Sequence, residues 1–144
     1  MTSKKAKKAA DSAMKVFTGK RKRAVARARF EPGSGVVRIN HVPLSVLNNG
    51  LVRMKLMEPL TLAGDDWKKY DITVNVRGGG IVGQADASRL AIAKGLAEML
   101  GAEARKRFQE YDRYLLIADP RRTEPHKPPR SSQGPRRYKQ RSKR

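Results

Sequence analysis

The spacing of hydrophobic residues changes abruptly in the middle of the chain. Over residues 71–77 apolar and polar residues alternate, which predicts a strand with one buried face. Residues 78–80 are all glycine, the residue that accepts a tight turn most freely. From about Gly83 the apolar residues recur at helical spacing, with Ser88 on the polar side and Arg89 as a misfit on the apolar side. We therefore predict a strand, a glycine turn and an amphipathic helix.

The glycine turn has three interpretations. Residues 78–83 match G-x-G-x-x-G, the dinucleotide-binding fingerprint, and lie between a strand and a helix as that fingerprint does. We disfavour this interpretation because no second strand follows the helix, no acidic residue is placed to bind a ribose, and the chain is too short for a doubly wound sheet. We favour the other two together. Glycine permits close backbone approach, and the bare amides at a helix start can accept a phosphate, such as that of RNA.

The segments before this centre predict more strands. Residues 14–30 are predicted to form one long strand, in which Arg27 and Arg29 alternate with apolar residues and face outward. Residues 31–35 have the composition of a turn. Residues 36–39 are then predicted to return as the second strand of a hairpin.

Helical patterns lie on both sides of the centre. Residues 51–60 predict a short helix, and residues 102–111 predict another in which Ala104 and Phe108 share one face. Residues 112–118 predict an apolar segment that docks on the body. The fold class expected from these elements is α/β or α+β, with one core, which a chain of 144 residues can support.

Charge is distributed very unevenly along the chain. The net charge is +20, of which residues 1–29 contribute +10, residues 30–120 contribute +1 and residues 121–144 contribute +9. Such basic ends repel themselves and cannot bury apolar surface, so we expect them to order only against a polyanion. Nucleic acid is the default partner, and a membrane surface is a weaker alternative.

We accordingly divide the chain into three parts. Residues 1–14 are a basic N-terminal arm, residues 15–120 are the globular body, and residues 121–144 are an extended basic tail rich in proline. The arm could contact phosphate or could simply be a solubilising extension.

The sequence gives little support for catalysis or for a metal site. There is no cysteine, which excludes disulfides and thiolate metal sites, and the two histidines, His41 and His126, fall in a turn and in the tail. Asp65 and Asp66 are interpreted as a solvated acidic turn, since a cation cage needs more oxygen ligands. No nucleophile–base set is apparent. We predict a binding protein, not an enzyme, with no cofactor and no metal. The apolar runs are too short for a membrane span and no signal segment is apparent, so we expect an intracellular protein.

Several motifs together resemble those of the ribosomal protein S9 family of the small subunit, in its archaeal and eukaryotic-cytoplasmic branch. The matching residues are Gly19-Lys20-Arg21-Lys22-Arg23-Ala24-Val25-Ala26-Arg27, Pro32-Gly33-Ser34-Gly35 with Asn40, Gly78-Gly79-Gly80-x-x-Gly83-Gln84-Ala85-x-Ala87 with Lys94-Gly95-Leu96, Asp119-Pro120-Arg121-Arg122-x-Glu124-Pro125, and the terminal Ser142-Lys143-Arg144. The resemblance covers about residues 15–144.

The resemblance implies a fold and a role. The fold would be a two-layer sandwich like the second domain of ribosomal protein S5, with a four-stranded mixed sheet, helices on one face, and unstructured basic extensions. The protein would be a structural constituent of the small subunit in the cytoplasmic ribosome. It would bind rRNA in the head beside neighbouring head proteins, and its tail would contact P-site tRNA.

The resemblance and the charge pattern also assign candidate residues. The tRNA-binding candidates are Ser142, Lys143 and Arg144. The rRNA-binding candidates are Lys20, Arg21, Lys22, Arg23, Arg27, Arg29, Arg77, Gly78, Gly79, Gly80, Gln84, Arg121, Arg122, Arg130, Arg136, Arg137, Lys139 and Arg141. Two alternatives from other classes are a free-standing DNA-binding protein and a small nucleotide-using enzyme built on the glycine loop.

Overall fold

A computed structural model of the chain describes residues 15–123, and these form one mixed sheet with helices packed against it. The five strands are β1 (Lys15–Arg21), β2 (Ala24–Pro32), β3 (Val37–Ile39), β4 (Val42–Pro43) and β5 (Tyr70–Arg77). The three helices are α1 (Gly50–Ala63), α2 (Ile81–Leu100) and α3 (Ala102–Tyr111), and short 3₁₀ turns span Leu44–Val46, Asp66–Lys69 and Arg113–Leu115.

The strand order is β1-β2-β5-β3-β4. β3 pairs with β5 in parallel, and every other pairing is antiparallel. The expected α+β class and the mixed sheet with helices on one face are confirmed. The fifth strand is β4, whose two residues pair with β3 across a turn in which Asn40 and His41 have φ angles of 46° and 71°.

The core lies between the sheet and α2. Alternate residues of β2 and β5 are buried against the helices, and so are those of β3. α2 approaches the sheet very closely at two glycines: a side chain at Gly95 would collide with the ring of Phe30, and one at Gly19 would collide with the carbonyl of Ala87. Small residues at these points let backbone and ring meet, which explains why a glycine sits inside a helix despite its entropic cost.

The predicted long strand over residues 14–30 is wrong, because the structure divides it into β1 and β2. Arg21 pairs with Ala24, so Lys22 and Arg23 form a two-residue turn in which Lys22 has a φ of 52°. A single extended strand of that length would reach roughly 55 Å, far beyond its neighbours in the sheet. Folding back places both halves under α2.

The predicted hairpin between this region and residues 36–39 is also wrong. β5 lies between β2 and β3 and pairs with both. Ile72 and Val74 of β5 are fully buried, and the central position of the strand gives them neighbours on both sides. Asp71 secures the β2–β3 connection, because its carboxylate accepts hydrogen bonds of 2.9 Å from the backbone amides of Ser34 and Val36. These bonds lower the pKa of Asp71 below its ordinary value, Val36 contributing most.

The helix predictions hold with small changes of length. α1 continues to Ala63, beyond the predicted end at residue 60, and stops at Gly64, which has a φ of 75°. α2 starts two residues before the predicted Gly83. α3 has the predicted bounds, and its Ala104 and Phe108 are both buried. The docked segment after α3 is confirmed by Leu115, which is fully buried.

Two residues of α2 differ from their expected surroundings. Ser88, predicted on the polar side, is buried at 1% exposure, because α2 contacts the sheet on one side and α1 and α3 on others. Arg89, the misfit on the apolar side, has two carboxylate partners, Glu58 and Asp112. A partly buried guanidinium is tolerated when it is paired with carboxylates in this way.

Candidate nucleic-acid interface

The side of the sheet that faces away from the helices carries a group of exposed cations. Alternation along the strands sends apolar residues to the helices and polar residues to this side, which we call the open face. Its cations are Lys20 on β1, Arg27 and Arg29 on β2, Arg38 on β3 and Arg77 on β5. All five side chains are exposed to solvent.

Strand register arranges these residues in rows across the sheet. One row is Lys20, Val25 and Arg77; the next is Thr18, Arg27 and Asn75; the third is Val16, Arg29, Thr73 and Arg38. Adjacent strands lie about 4.8 Å apart and alternate residues about 6.8 Å apart, so the cations share a patch roughly 14 Å on a side.

Few carboxylates neutralise the open face. Arg29 pairs with Glu31 on the same strand, with a distance of 2.5 Å from Nη2 to Oε1. Within residues 15–123, the cations Lys20, Arg27, Arg38 and Arg77 have no ion pair, although the charge of Arg38 makes a small contribution to the lowered pKa of Asp71. Uncompensated cations this close together repel one another, and a polyanion would relieve that repulsion.

A second group of cations, on another part of the surface, is neutralised internally. We call it the paired cluster: Arg21, Lys55, Glu58, Asp86, Arg89, Asp112, Asp119 and Arg121. It joins β1, α1 and α2 to the segment that follows α3. Arg21 Nη1 lies 2.5 Å from Asp119 Oδ2, and Lys55 Nζ lies 2.6 Å from Asp86 Oδ1.

Asp119 is the centre of the part of this cluster nearest the tail. It accepts hydrogen bonds from the side chain of Arg121 at 2.7 to 3.1 Å and from the Arg121 backbone amide at 2.9 Å. Those bonds, with smaller contributions from the charges of Arg121 and Arg21, lower the pKa of Asp119 to about 2. The first residues of the tail are therefore tied to β1 through one carboxylate.

The glycine loop lies against the β1–β2 turn. Gly78 and Gly79 have φ angles of 78° and 70°, in the region that favours glycine. A side-chain carbon at Gly78 would lie 2.6 Å from the carbonyl oxygen of Arg23. Gln84 Nε2 donates a hydrogen bond to the Gly78 carbonyl oxygen at 3.2 Å. The N-cap residue of α2 is Gly80, so no side chain at the N-cap accepts a hydrogen bond from the first amides of the helix. The close-approach interpretation is thus supported by the geometry.

The structure distributes the predicted rRNA-binding residues among three places. Lys20, Arg27, Arg29 and Arg77 share the open face, and Lys22 and Arg23 form the adjoining turn beside the glycine loop. Arg21 and Arg121 belong to the paired cluster. Arg122 donates to the backbone oxygens of Asp119 and Arg121.

The tail candidates lie outside the described residues. They are Arg130, Arg136, Arg137, Lys139, Arg141, Ser142, Lys143 and Arg144.

Sequence reasoning missed Arg38. Its signal was present, because Val37, Arg38 and Ile39 alternate as the residues of β2 and β5 do, and both apolar neighbours are buried. Arg38 lies in register with Thr73, which places it in the same row as Arg29.

Both aspartates of the acidic turn form ion pairs with lysines. Asp65 pairs with Lys68 and Asp66 with Lys69, at 2.6 and 2.7 Å. Between residues 15 and 123 no group of three or more acidic or histidine side chains is placed to hold a metal ion. In the same part of the chain, no helix combines the length and apolar character needed to cross a membrane.

Comparison with known proteins identifies the family. The family model described as ribosomal protein S9/S16 matches residues 19–144, which is most of the chain. The chain belongs to the ribosomal protein S9/S16 family. It is therefore a structural constituent of the small ribosomal subunit in the cytoplasmic ribosome. As such it associates with rRNA and other ribosomal proteins. Proteins of ribosomal families are generally structural and not enzymatic.

Individual relatives are archaeal. The chain is 50% identical to the small ribosomal subunit protein uS9 of Methanococcus maripaludis strain C7 over 125 residues, covering 86% of this chain and 93% of the relative. The same identity and coverage hold for uS9 of Methanococcus vannielii. The uS9 protein of Desulfurococcus amylolyticus is 51% identical over 113 residues, covering 78% of this chain and 81% of the relative.

Proposed function

We propose that this protein binds small-subunit rRNA in the head through its open face and glycine loop, and that its tail carries Ser142, Lys143 and Arg144 to P-site tRNA. The observation that carries the rRNA proposal is the set of exposed cations on the open face, four of which have no carboxylate partner within the described residues. Neutralising phosphates with such cations releases counterions, which gives affinity without sequence selectivity.

The glycine loop adds a second candidate contact. The N-terminus of α2 is exposed at Gly80, Ile81 and Val82, next to Lys22 and Arg23 in the β1–β2 turn. Amides and the helix dipole favour an anion at such a terminus, and the neighbouring cations add to that attraction.

The tail proposal is supported by its charge and by the place where it begins. Residues 121–144 carry a net charge of +9, and Asp119 ties the first of them to β1. Lysine and arginine contacts to phosphate do not read sequence, so they suit a site that must accept every tRNA.

The rRNA proposal is tested with two doubly substituted full-length chains. Arg27→Gln with Arg77→Gln removes two cations from the open face. Arg105→Gln with Lys106→Gln removes two exposed cations from α3, which gives the matched control. We expect the first pair to lower the affinity for a head-domain rRNA transcript about tenfold and to reduce the slope of log affinity against log salt by about 1.5.

The control pair should change both quantities much less. Equal losses from the two pairs would mean that overall charge, not the open face, determines binding. Both variants should unfold at the same temperature as the parent, which shows that the losses do not come from damage to the fold.

The tRNA proposal is tested by deleting residues 140–144. Small subunits carrying the shortened protein should bind P-site tRNA more weakly than parent subunits, and the difference should shrink as salt increases. Equal affinity at every salt concentration would rule out the tail contact.

A further inference from the structure

The open face lacks one class of side chain that many RNA-binding sheets use. Between the cations lie Thr18, Thr73 and Asn75, with Val16 and Val25 as its aliphatic members. The described rows of the open face contain no aromatic residue. Phe17 and Phe30 point to the helix side, where their rings meet edge to face at 5.5 Å.

This composition distinguishes two kinds of RNA target. Sheets that bind single-stranded RNA usually stack its unpaired bases on aromatic side chains, and those contacts supply much of the affinity. Without such rings, the open face lacks the aromatic surface on which unpaired bases usually stack, and its guanidinium planes are the stacking surfaces that it retains. Guanidinium, ammonium, hydroxyl and amide groups instead address phosphates and 2′-hydroxyls.

The backbone beneath these groups is firmly held. β2 is paired along its length with β1 on one side and β5 on the other, so the cations project from fixed positions. A rigid array about 14 Å on a side can meet several phosphates at once only if they are also held in a fixed arrangement. A double helix provides that arrangement, whereas a flexible single strand would have to be ordered at an entropic cost.

We propose that the open face binds double-stranded RNA of A-form geometry through phosphates and 2′-hydroxyls, and does not bind unstacked bases. Arg27, Arg38 and Arg77 supply the phosphate contacts, while Thr18, Thr73 and Asn75 supply hydrogen bonds to phosphate or 2′-hydroxyl oxygens. This inference rests on the proposed rRNA binding and assigns its target class.

The test compares three probes of equal length: an RNA duplex, a single-stranded RNA that cannot pair with itself, and a DNA duplex of the same sequence. The full-length chain also carries basic ends that bind all three, so the informative quantity is the loss caused by Arg27→Gln with Arg77→Gln. The pair Arg105→Gln with Lys106→Gln again gives the background loss. We expect about a tenfold loss on duplex RNA, a smaller loss on duplex DNA, and less than about twofold on single-stranded RNA.

The possible results separate this inference from the proposed function. A loss on single-stranded RNA as large as that on duplex RNA overturns the assignment to double helices while leaving rRNA binding intact. A loss on DNA as large as that on duplex RNA overturns the preference of the open face for A-form geometry. If the substitutions change binding to no probe and also leave head-domain rRNA binding unchanged, the proposed function of the open face fails with it.

Discussion

The open face and the paired cluster contain the same kinds of basic side chain in opposite electrostatic settings. On the open face, Arg27 and Arg77 project from neighbouring strands into solvent. In the paired cluster, Arg21 and Arg89 have side chains that are only 20% and 17% exposed, and each contacts two carboxylates. Elements far apart in sequence meet in the cluster, whereas the open face belongs to one sheet.

The difference shows that the number of basic residues does not reveal how many are available to RNA. Residues 30–120 are nearly neutral in total, yet Arg38 and Arg77 lie on the open face with no ion pair within the described residues, while Arg89 has two carboxylate partners. Four carboxylates form ion pairs within the paired cluster: Glu58, Asp86, Asp112 and Asp119. On the open face, Glu31 is the carboxylate that forms an ion pair, with Arg29. We infer that the cluster contributes mainly stability and the open face mainly binding.

The strongest test of this division replaces one arginine from each region with methionine. Arg89→Met leaves Glu58 and Asp112 without their cation in a partly buried place. We expect it to lower the free energy of unfolding by about 2 kcal/mol, less than for a fully buried pair because water still reaches the site. Arg77→Met should leave stability nearly unchanged and weaken RNA binding.

Urea denaturation of the two variants beside the parent measures the difference, and RNA titration completes the comparison. Stability losses of equal size would contradict the division into a structural and a binding region. So would a loss of RNA affinity in the Arg89 variant greater than that in the Arg77 variant, measured where both proteins are folded.

Sequence reasoning recovered the elements whose pattern is local. The strand–glycine–helix centre, α3 and its buried pair, and the outward direction of Arg27, Arg29 and Arg77 all follow from periods of 2.0 and 3.6 residues. The β1–β2 turn was missed although it leaves a trace. Phe17, Gly19 and Arg21 face the helices from odd positions, whereas Ala24 and Ala26 do so from even ones, and that change of parity marks the turn.

Other features could not have been read from local pattern. The position of β5 between β2 and β3 depends on which strand gains the most burial at the centre of the sheet. The sequence pattern of β3 is the same whether it pairs with β2 or with β5, so the pattern does not reveal the strand order. The partners of Arg89 come from α1 and from the segment after α3, so the local pattern of α2 does not reveal them. The rRNA contacts predicted for Arg21 and Arg121 remain predictions, and the described partners of both are carboxylates.

A smaller effect is expected at the glycine loop, which connects β5 to α2. Gly78→Ala forces a side chain into a left-handed conformation and against the carbonyl oxygen of Arg23. We expect a loss of about 1–2 kcal/mol in unfolding free energy. Gly50→Ala is the matched control, since no atom lies within 4 Å of the added carbon.

The same variant separates the two favoured roles of the loop. If Gly78 serves close packing, Gly78→Ala should change stability and leave the rRNA affinity of the folded protein unchanged. Reduced affinity at unchanged stability would instead assign the loop amides to phosphate binding.

The smallest expected change in stability tests whether the charge of Asp119 holds Arg121, the first residue of the tail, against β1. Its pKa in the folded protein is about 2, against an ordinary value of 3.8. Because the folded-state pKa is depressed, the contribution to stability is present above about pH 4 and is lost as pH falls towards 2. Asp119→Asn should therefore be less stable than the parent at pH 7, and this difference in stability, or gap, should close between pH 4 and pH 2.

The control is Asp66→Asn, which breaks the exposed pair with Lys69 and should give a smaller gap at pH 7. Urea midpoints at pH 7, 5, 3.5 and 2 measure both gaps, and an Asp119 gap that stayed constant down to pH 2 would show that the carboxylate acts by shape and not by charge.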